Sequence, residues 1–445
     1  MSNQAAESSN IEKITIFSNY GKEVDVAGGV SSLEIFESVF DTTIRASANI
    51  IDTGFRNSKN TVSGMEVDDL HLTVGEKTII SVTDNKGTNL NIEMRVRAVG
   101  NVVEHTQYIG YTMEWYSKEA VENEFLDNRV VKRYEGKITD YVPKIFKECL
   151  KSEKPLKIDP CINTFNFLGH VQKPNYILTW LAKRTVPDIA PLGDLAGYFF
   201  WETTKGFNYR SIDKIFKDKA VVKKFIFNNT PYAPAGYEKI LDYSWSENIS
   251  MDKKLLTSAF NRAQQRTFDP YTNKYVEDEF DSTVQFGYDN IGGLEKPKVN
   301  VADKVESKMT RMNSNWLDTG VLPPGSTLKK QLEKSKDVVN FDINEILRQS
   351  YIRYNNLFAH KLNIRIAGDF GIHAGDLVWV DFPEVSDKVN QIISKKKGGI
   401  YMVIDVAHYI TSRGTFTGLN LARESILRPP VDPTNLLKNS NDAVS

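Results

Sequence analysis

The sequence predicts a mainly β protein with two similar antiparallel β-barrel modules and a small α+β domain between them. The first observation is a series of β-branched and aromatic segments in residues 364–423, separated by breaks rich in Gly, Asp and Lys. This is the pattern of an antiparallel meander. The second observation is a similar order of turns and strands in residues 75–115, and the third is a change to helical spacing between residues 138 and 184.

The two meanders match each other segment by segment, which suggests that one module is a duplicate of the other. Three segments of the first recur in the second in the same chain order: 75–80 as 375–380, 94–103 as 401–410, and 111–115 as 417–421. Few residues are identical, so the shared order of turn, strand, loop, strand, turn and strand carries the argument. Two unrelated meanders of similar β composition are the alternative.

The first module is predicted to span residues 11–120. Alternating or β-rich segments at 11–17, 30–40 and 43–52 predict its first three strands. Three more strands are expected to start near Lys77, Asn91 and Tyr108, which gives a sheet large enough to close into a small barrel. The polar, small residues 1–10 predict a flexible arm before the module.

A small α+β domain is predicted for residues 121–215. Residues 138–150 place apolar side chains at helical spacing, with Thr139 or Asp140 as a cap and Pro143 in the first turn. Residues 175–184 predict a second helix after Pro174. Two β-rich segments, 197–203 and 205–212, then predict a hairpin.

The second module is predicted from two pieces, residues 216–250 and 340–428. Strands are expected at 225–227 and 240–245, before a polar and turn-rich excursion at 251–339. An amphipathic helix at 343–358, with Asp342 as its N-cap, then leads back into the barrel. Residues 429–445 predict a flexible or partner-docking tail.

Composition and charge exclude several classes of protein. The 445 residues carry 56 Lys+Arg against 57 Asp+Glu, whereas an electrostatic nucleic-acid binder needs a basic excess or a basic face. No apolar run reaches the length of a membrane span, and no secretory signal opens the chain. The two cysteines, Cys149 and Cys161, favour a reducing compartment over a disulfide scaffold.

Motifs for catalysis or metal binding are missing from the sequence. None of the six histidines pairs with another ligand at metal spacing, and there is no phosphate-binding Gly loop or nucleophile elbow. The acidic clusters at 68–69 and 277–279 and the basic loop at 395–397 are interpreted as solvated turns, although a backbone-phosphate contact is open for the loop. The sequence therefore predicts no catalytic residue, no metal site and no cofactor.

Several segments together resemble the central baseplate hub protein of contractile-tailed bacteriophages, and the base of type VI secretion spike proteins is similar in fold. The resemblance covers most of the chain and is carried by four segments: residues 32–40, 197–212, 267–270, and 375–380 with the hairpin that follows. In that family, three chains with two tube-like modules each present six similar modules to a sixfold tube. No catalytic residues carry over.

The resemblance implies a structural role in the virion, at the tail baseplate, after assembly in the host cytoplasm. The implied partners are two further copies of the chain in a homotrimer, the tail tube protein, the central spike protein and neighbouring baseplate wedge proteins. Phage DNA would pass through the channel without sequence-specific binding. A glycan-binding or cell-wall-degrading tail component is the alternative.

Strands of both modules are the predicted subunit and tube interface. The residues chosen are apolar or aromatic, with one histidine, and lie in the two matching meanders: Val96, Val99, Val103, Tyr111, Trp115, Val403, Val406, His408, Leu419 and Leu421.

Overall fold

A computed structural model describes the chain from residue 9 to residue 424 with gaps. The described residues are 9–56, 62–64, 72–188, 196–218, 220–228, 232–247, 262–269, 274–281, 311–314, 346–347, 349–350, 353–354, 357–382 and 397–424. The C-terminal tail at 429–445, nearly all of the N-terminal arm and most of the excursion lie outside these residues.

The first module and the α+β domain follow the predicted order of elements. The strands of the first module are β1 Asn10–Phe17, β2 Glu23–Asp25, β3 Val30–Ser38, β4 Arg45–Asp52, β5 Phe55–Arg56, β6 Val62–Gly64, β7 Lys77–Thr83, β8 Asn89–Glu104 and β9 Ile109–Ser117. The next elements are α1 Lys118–Glu122, β10 Arg133–Tyr134, α2 Ile138–Glu148, β11 Leu156–Ile158, β12 Phe167–Leu168, α3 Pro174–Ala182, β13 Tyr198–Thr203, β14 Gly206–Ser211 and α4 Ile212–Asp218. Two 3-10 turns occupy Ala27–Gly29 and Leu126–Asn128.

The second module begins directly after α4. Its described strands are β15 Val221–Ile226, β16 Glu238–Glu247, β20 His360–Ala367, β21 Leu377–Asp381, β22 Gly399–Thr411 and β23 Gly414–Arg423. Within the excursion, β17 Arg262–Asp269, β18 Lys274–Asp281 and β19 Arg311–Ser314 form a separate small sheet. The described residues between 346 and 357 are helical, as the amphipathic pattern predicts.

Among the described residues, thirteen strands form one continuous sheet in the order β2-β1-β7-β8-β9-β4-β3-β22-β21-β15-β16-β20-β23. An additional pairing of β22 with β23 closes its second half into a six-stranded barrel. The pairing of β3 with β22 joins the two modules. The prediction of a mainly β fold with two modules is thus confirmed.

The two modules share one strand order. Strands β1, β3, β4, β7, β8 and β9 have the same chain order and the same neighbours as β15, β16, β20, β21, β22 and β23. The register also matches: Val96 pairs with Trp115 and Val403 with Leu421, and each ladder then shifts by one residue at a bulge. Because a bulge reorients a strand at a defined position, its recurrence supports a duplication.

The turn before β7 in the first module and the turn before β21 in the second hold this bulge in place through the same backbone hydrogen bonds. Gly75 and Gly375 have φ of 87° and 90°, a left-handed conformation that glycine adopts without strain. Two backbone hydrogen bonds then recur: Gly75 N–H to Val96 O at 2.7 Å and Val96 N–H to Glu76 O at 2.9 Å, and Gly375 N–H to Val403 O and Val403 N–H to Asp376 O, both at 2.8 Å.

One strand breaks the similarity. In the first module β1 pairs with β7 in antiparallel orientation, whereas β15 runs parallel to both of its neighbours, β21 and β16. The second barrel is thus antiparallel, as predicted, except at β15. The short pairing of β15 with β16 also closes the second barrel, and no such pairing links β1 to β3 in the described part of the first module.

Two details of the α+β domain also differ from prediction. Helix α2 has Lys137 at its N-cap, and no side chain there bonds to the helix, so neither Thr139 nor Asp140 is the cap. Pro143 lies inside the helix and not in its first turn. The amphipathic face compensates, because Tyr141, Ile145 and the other apolar residues of α2 are buried.

Four hydrophobic clusters account for most of the buried core. One fills the first module, one fills the α+β domain, and two lie on either side of the sheet of the second module. Phe370 and Ile410 of the second module belong to the cluster of the first. The modules therefore share core contacts, and the predicted domain boundaries remain predictions.

Candidate functional site: the module junction and the outer strand edges

The ten residues predicted for an interface lie on β8, β9, β22 and β23, but most face the interior of the chain. Eight are buried: Val96, Tyr111, Trp115, Val403, Val406, His408, Leu419 and Leu421. Val99 is half-buried against the first core, and Val103 is 53% exposed. The eight buried side chains fill the barrels, so contact with another protein at these strands falls to their backbone edges and outward-facing neighbours. The interface itself remains a prediction.

The junction between the modules is a backbone ladder. Strand β3 pairs with the second half of β22 in antiparallel register, through seven residue pairs that run from Ser32 and Thr411 to Ser38 and Asp405. The hydroxyl of Ser38 donates to the carboxylate of Asp405 at 2.5 Å. Backbone bonds of this kind give the junction a fixed register.

A buried carboxylate connects this ladder to all three parts of the chain. Glu37 on β3 is 2% exposed. Its oxygens accept the backbone N–H of Thr204 in the α+β domain at 2.8 Å and that of Ala374 in the second module at 3.1 Å. The Nδ1 atom of His373 lies 3.2 Å from the same carboxylate. A buried charge is stable only when it is hydrogen-bonded in this way.

The pKa of Glu37 reflects this balance. Burial acts to raise the pKa of Glu37. The hydrogen bond with His373, the charge of His373 and the hydrogen bond from the Thr204 N–H outweigh burial, so the pKa lies below its usual value. Nearby, burial lowers the pKa of His408 to about 4. Its Nδ1 lies 3.0 Å from the Thr417 hydroxyl. This junction is therefore built around a carboxylate that stays charged and a histidine that stays neutral.

A second buried carboxylate links the modules at a different place. Asp369 is 1% exposed and forms ion pairs with Lys86, from the turn between β7 and β8, at 2.7 Å, and with Lys223 on β15. The carboxylate of Asp84 accepts the backbone N–H of Phe370 at 3.0 Å. Burial acts to raise the pKa of Asp369, but the two lysines lower it overall.

The α+β domain attaches to the first module through a third buried carboxylate. Glu202 on β13 accepts the backbone N–H of Ile44 at 3.0 Å and pairs with Lys154 at 2.5 Å. Lys154 also pairs with Glu119 of α1 at 2.7 Å. Burial, reinforced by the charge of Glu119 and opposed by Lys154, raises the pKa of Glu202 to about 7.

Along two strand edges, the described part of the chain has no neighbouring strand comparable to β3 beside β22. Strand β8 pairs with β7 through Arg95, and after Val96 no described strand pairs with that side of it; we call residues 98–104 the outer edge of β8. Strand β16 pairs with β15 only through Glu238 and Lys239; we call residues 241–247 the outer edge of β16. Strand edges of this length without a described neighbouring strand are templates for pairing with another chain.

Apolar side chains are exposed on both outer edges. Val102 and Val103 are 54% and 53% exposed, and Leu241 is 37% exposed. The Asn101 backbone has φ of 52°, at a bulge where β8 and β9 change register. Sequence reasoning selected Val103 but missed Val102 and Leu241, because alternation assigns one face of a strand to the core and leaves the other unassigned.

The described residues contain no group of three or more His, Cys, Asp or Glu side chains placed to hold a metal ion. Cys149 is half-buried, and burial raises the pKa of its thiol. No described helix is both long and apolar enough to cross a membrane.

Comparisons with known proteins identify the fold. No family model matches the chain, and no curated protein does. A tail protein from Neisseria meningitidis superposes with a TM-score of 0.52 at 10% identity, over 94% of this chain and 99% of that one. A 43 kDa tail protein of prophage MuSo2 from Shewanella oneidensis gives 0.49 at 9% identity, over 94% and 100%.

An E. coli component of the type VI secretion system gives a TM-score of 0.42 at 8% identity, over 89% of this chain and 74% of that one. It is described as structurally similar to the T4 tail proteins gp27 and gp5. The superposition on the Neisseria protein has a TM-score above 0.5 and spans both chains almost completely. The chain therefore has the fold of this tail protein.

Proposed function

We propose that this chain is a structural baseplate hub subunit of a contractile phage tail. Three copies would form a ring that joins the sixfold tail tube to the threefold central spike and lets DNA pass. The ring would contact the tube protein, the spike protein and neighbouring wedge proteins in the virion. The fold shared with a tail protein supports a role in the tail.

The observation that carries the proposal is the matched register of the two modules. Because their strands pair with the same neighbours and bulge at the same place, a partner that recognises one module meets a similar backbone on the other. Three chains with two modules each then present six similar surfaces. A duplicated module is thus a direct way to match threefold and sixfold symmetry.

The charge of the chain also suits a conduit. Lys+Arg and Asp+Glu differ by one over the whole sequence, 56 against 57. A strongly basic chain would release counterions from DNA and hold it, whereas a near-neutral chain leaves DNA free to move.

Native mass spectrometry of the full chain tests the ring. A closed trimer is the expected result, and electron microscopy should show it seated on polymerised tail tube protein. A chain that stays monomeric at every concentration, or a trimer that never binds tube, would contradict the proposal. Turnover of peptidoglycan by the purified chain would favour the cell-wall-degrading alternative.

A further inference from the structure

We propose that the outer edge of β8 in one copy pairs with the outer edge of β16 in a second copy, in the register that joins β22 to β3 within the chain. This inference rests on the proposed ring and names the strands that close it. It is based on the junction between the two modules of one chain. There, β3 covers the edge of β22 that corresponds to the outer edge of β8.

The matching edge is the second half of β22. Strand β22 pairs with β21 up to Met402, bulges after Val403, and from Asp405 onward carries β3 on its outer side. Strand β8 pairs with β7 up to Arg95 and bulges after Val96, at the equivalent position. Its outer edge therefore has the geometry of an edge that the chain covers elsewhere.

The covering strand also has a counterpart. Strand β3 pairs with β4 with a one-residue shift between Val30 and Ser32, and β16 pairs with β20 with a one-residue shift between Ile240 and Asp242. The second module thus offers β16 in the role that β3 plays in the first. One chain holds both halves of the contact at different sites, so only a second copy can bring them together.

The shared register fixes which residues should face each other. Within the chain, Val406 pairs with Glu37 and Ala407 with Phe36. Moving each partner to its counterpart places Val99 opposite Glu247, and Gly100 opposite Ser246. Position 247 carries glutamate, as position 37 does. After Gly100 the Asn101 bulge shifts β8 by one residue, so the register is assigned only before that bulge.

Exposure on the two edges agrees with a partner strand. The edges carry Val102, Val103 and Leu241, which are apolar and exposed, whereas Ile410, the sequence counterpart of Val103 on β22, is only 1% exposed. The contact is heterologous, because β8 of one copy meets β16 of the next. Repeated contacts of this type close into a ring or grow into a filament.

Disulfide trapping tests the register. The double variant Gly100→Cys/Ser246→Cys places thiols directly opposite each other, at the spacing of antiparallel partners, which a disulfide can bridge. A Cβ at Gly100 meets no atom within 4 Å, and Ser246 is exposed, so both changes suit the fold. The matched control Gly100→Cys/Ser244→Cys shifts one thiol by two residues on the same face. The single variants report any contribution from Cys149 and Cys161.

We expect at least about tenfold more cross-linked product from the first pair than from the shifted pair, with linked species ending at three chains. The diagonal spacing of about 7–8 Å in the control disfavours the bond. Equal yields from both pairs, or no cross-link in a chain that is trimeric by native mass, would overturn the register and leave the ring standing. A chain that is monomeric by native mass would instead remove the proposed function itself.

Discussion

The second half of β22 and the second half of β8 occupy the same place in their modules, yet only one of them is covered within the chain. Both follow a bulge, and both pair with the last strand of their module in the same register. The β22 segment carries β3 on its outer side, whereas no described strand lies on that side of β8. Backbone pairing is therefore equivalent at the two edges as far as Gly100, where a second bulge shifts β8, and the larger difference lies in what covers them.

This difference shows how a covered edge is stabilised. At β22 the ladder is accompanied by the buried carboxylate of Glu37, which holds N–H groups from two other parts of the chain. At β8 the apolar residues Val102 and Val103 stay exposed. The covered edge is stabilised by the hydrogen bonds of the buried Glu37, which we call the clamp. The uncovered edge presents apolar surface that a partner can bury.

The largest effect is expected from removing the clamp at the covered edge. Glu37→Ala leaves His373 and two backbone N–H groups without their acceptor, so unfolding free energy should fall by about 3–5 kcal/mol in urea denaturation. Glu34→Ala on the same strand is the control; it removes a half-buried carboxylate and should cost about 0.5 kcal/mol. Equal losses for the two variants would show that Glu37 does not hold the junction.

Acid should weaken the covered edge through His408. Its pKa is lowered to about 4 in the folded chain, against about 6.5 when unfolded, so the unfolded chain binds the proton more tightly between these values. Stability should therefore be lost as pH falls from about 6.5 to about 4, by about 3 kcal/mol. The groups around His408 are Glu37, His373, Asp369 and Asp84, with the hydroxyl of Thr417 and the ring of Phe370.

Thermal unfolding from pH 7 to pH 4 measures this loss. The variant His408→Gln cannot take up the proton and should show a shallower dependence over the same window. Glu37 acts at lower pH, because its pKa is below the usual value and its contribution is lost only as pH falls through that lowered value. An unchanged slope in His408→Gln would assign the acid sensitivity to other groups.

A lysine on the uncovered edge should weaken association between copies without lowering the stability of the fold. Val102→Lys places a charge where β8 would receive β16, and edge lysines oppose strand pairing. Association should weaken by about tenfold, or about 1.4 kcal/mol, in sedimentation equilibrium. Val131→Lys in the α+β domain is a close control, because Val131 is also 54% exposed. Equal weakening by both would point to a general charge effect.

The smallest effect concerns the second link between the modules. Lys86→Ala removes one of two lysines from the buried Asp369 and should cost about 1 kcal/mol. Lys77→Ala removes an equally exposed lysine, 41% in both cases, from the exposed Glu93 and should cost about 0.5 kcal/mol or less. If Lys77 matters as much as Lys86, burial of the carboxylate is not what gives the link its strength.

Much of the architecture is encoded in short-range sequence patterns. Gly75 and Gly375 mark equivalent turns because both need a left-handed backbone, and the constant offset from Val96 to Val403 already carries the register that the ladders show. Helices α2 and α3 follow from apolar spacing because tertiary burial on one face determines where a helix forms.

Other features depend on contacts that a local pattern does not contain. The parallel direction of β15 depends on its pairing with β21, which lies far along the chain and which the residues of β15 do not specify. The predicted interface residues are mostly core residues because alternation marks an apolar face without saying which chain covers it. The three buried carboxylates, Glu37, Glu202 and Asp369, escaped prediction since each gathers donors that are distant in sequence.

The position of the connecting segments gives each module a polarity. At one end, β8–β9 and β22–β23 turn back through short hairpins in both modules alike. At the other end, the β3–β4 turn spans only residues 39–44, whereas its counterpart between β16 and β20 spans residues 248–359, and the α+β domain attaches beside Ile44. In a ring of alternating modules, the β8–β9 and β22–β23 hairpins would recur at all six positions, whereas the segment 248–359 and the α+β domain would occur at only every second one. A duplicated module with unequal connections would thus give the ring features that repeat six times beside features that repeat three times.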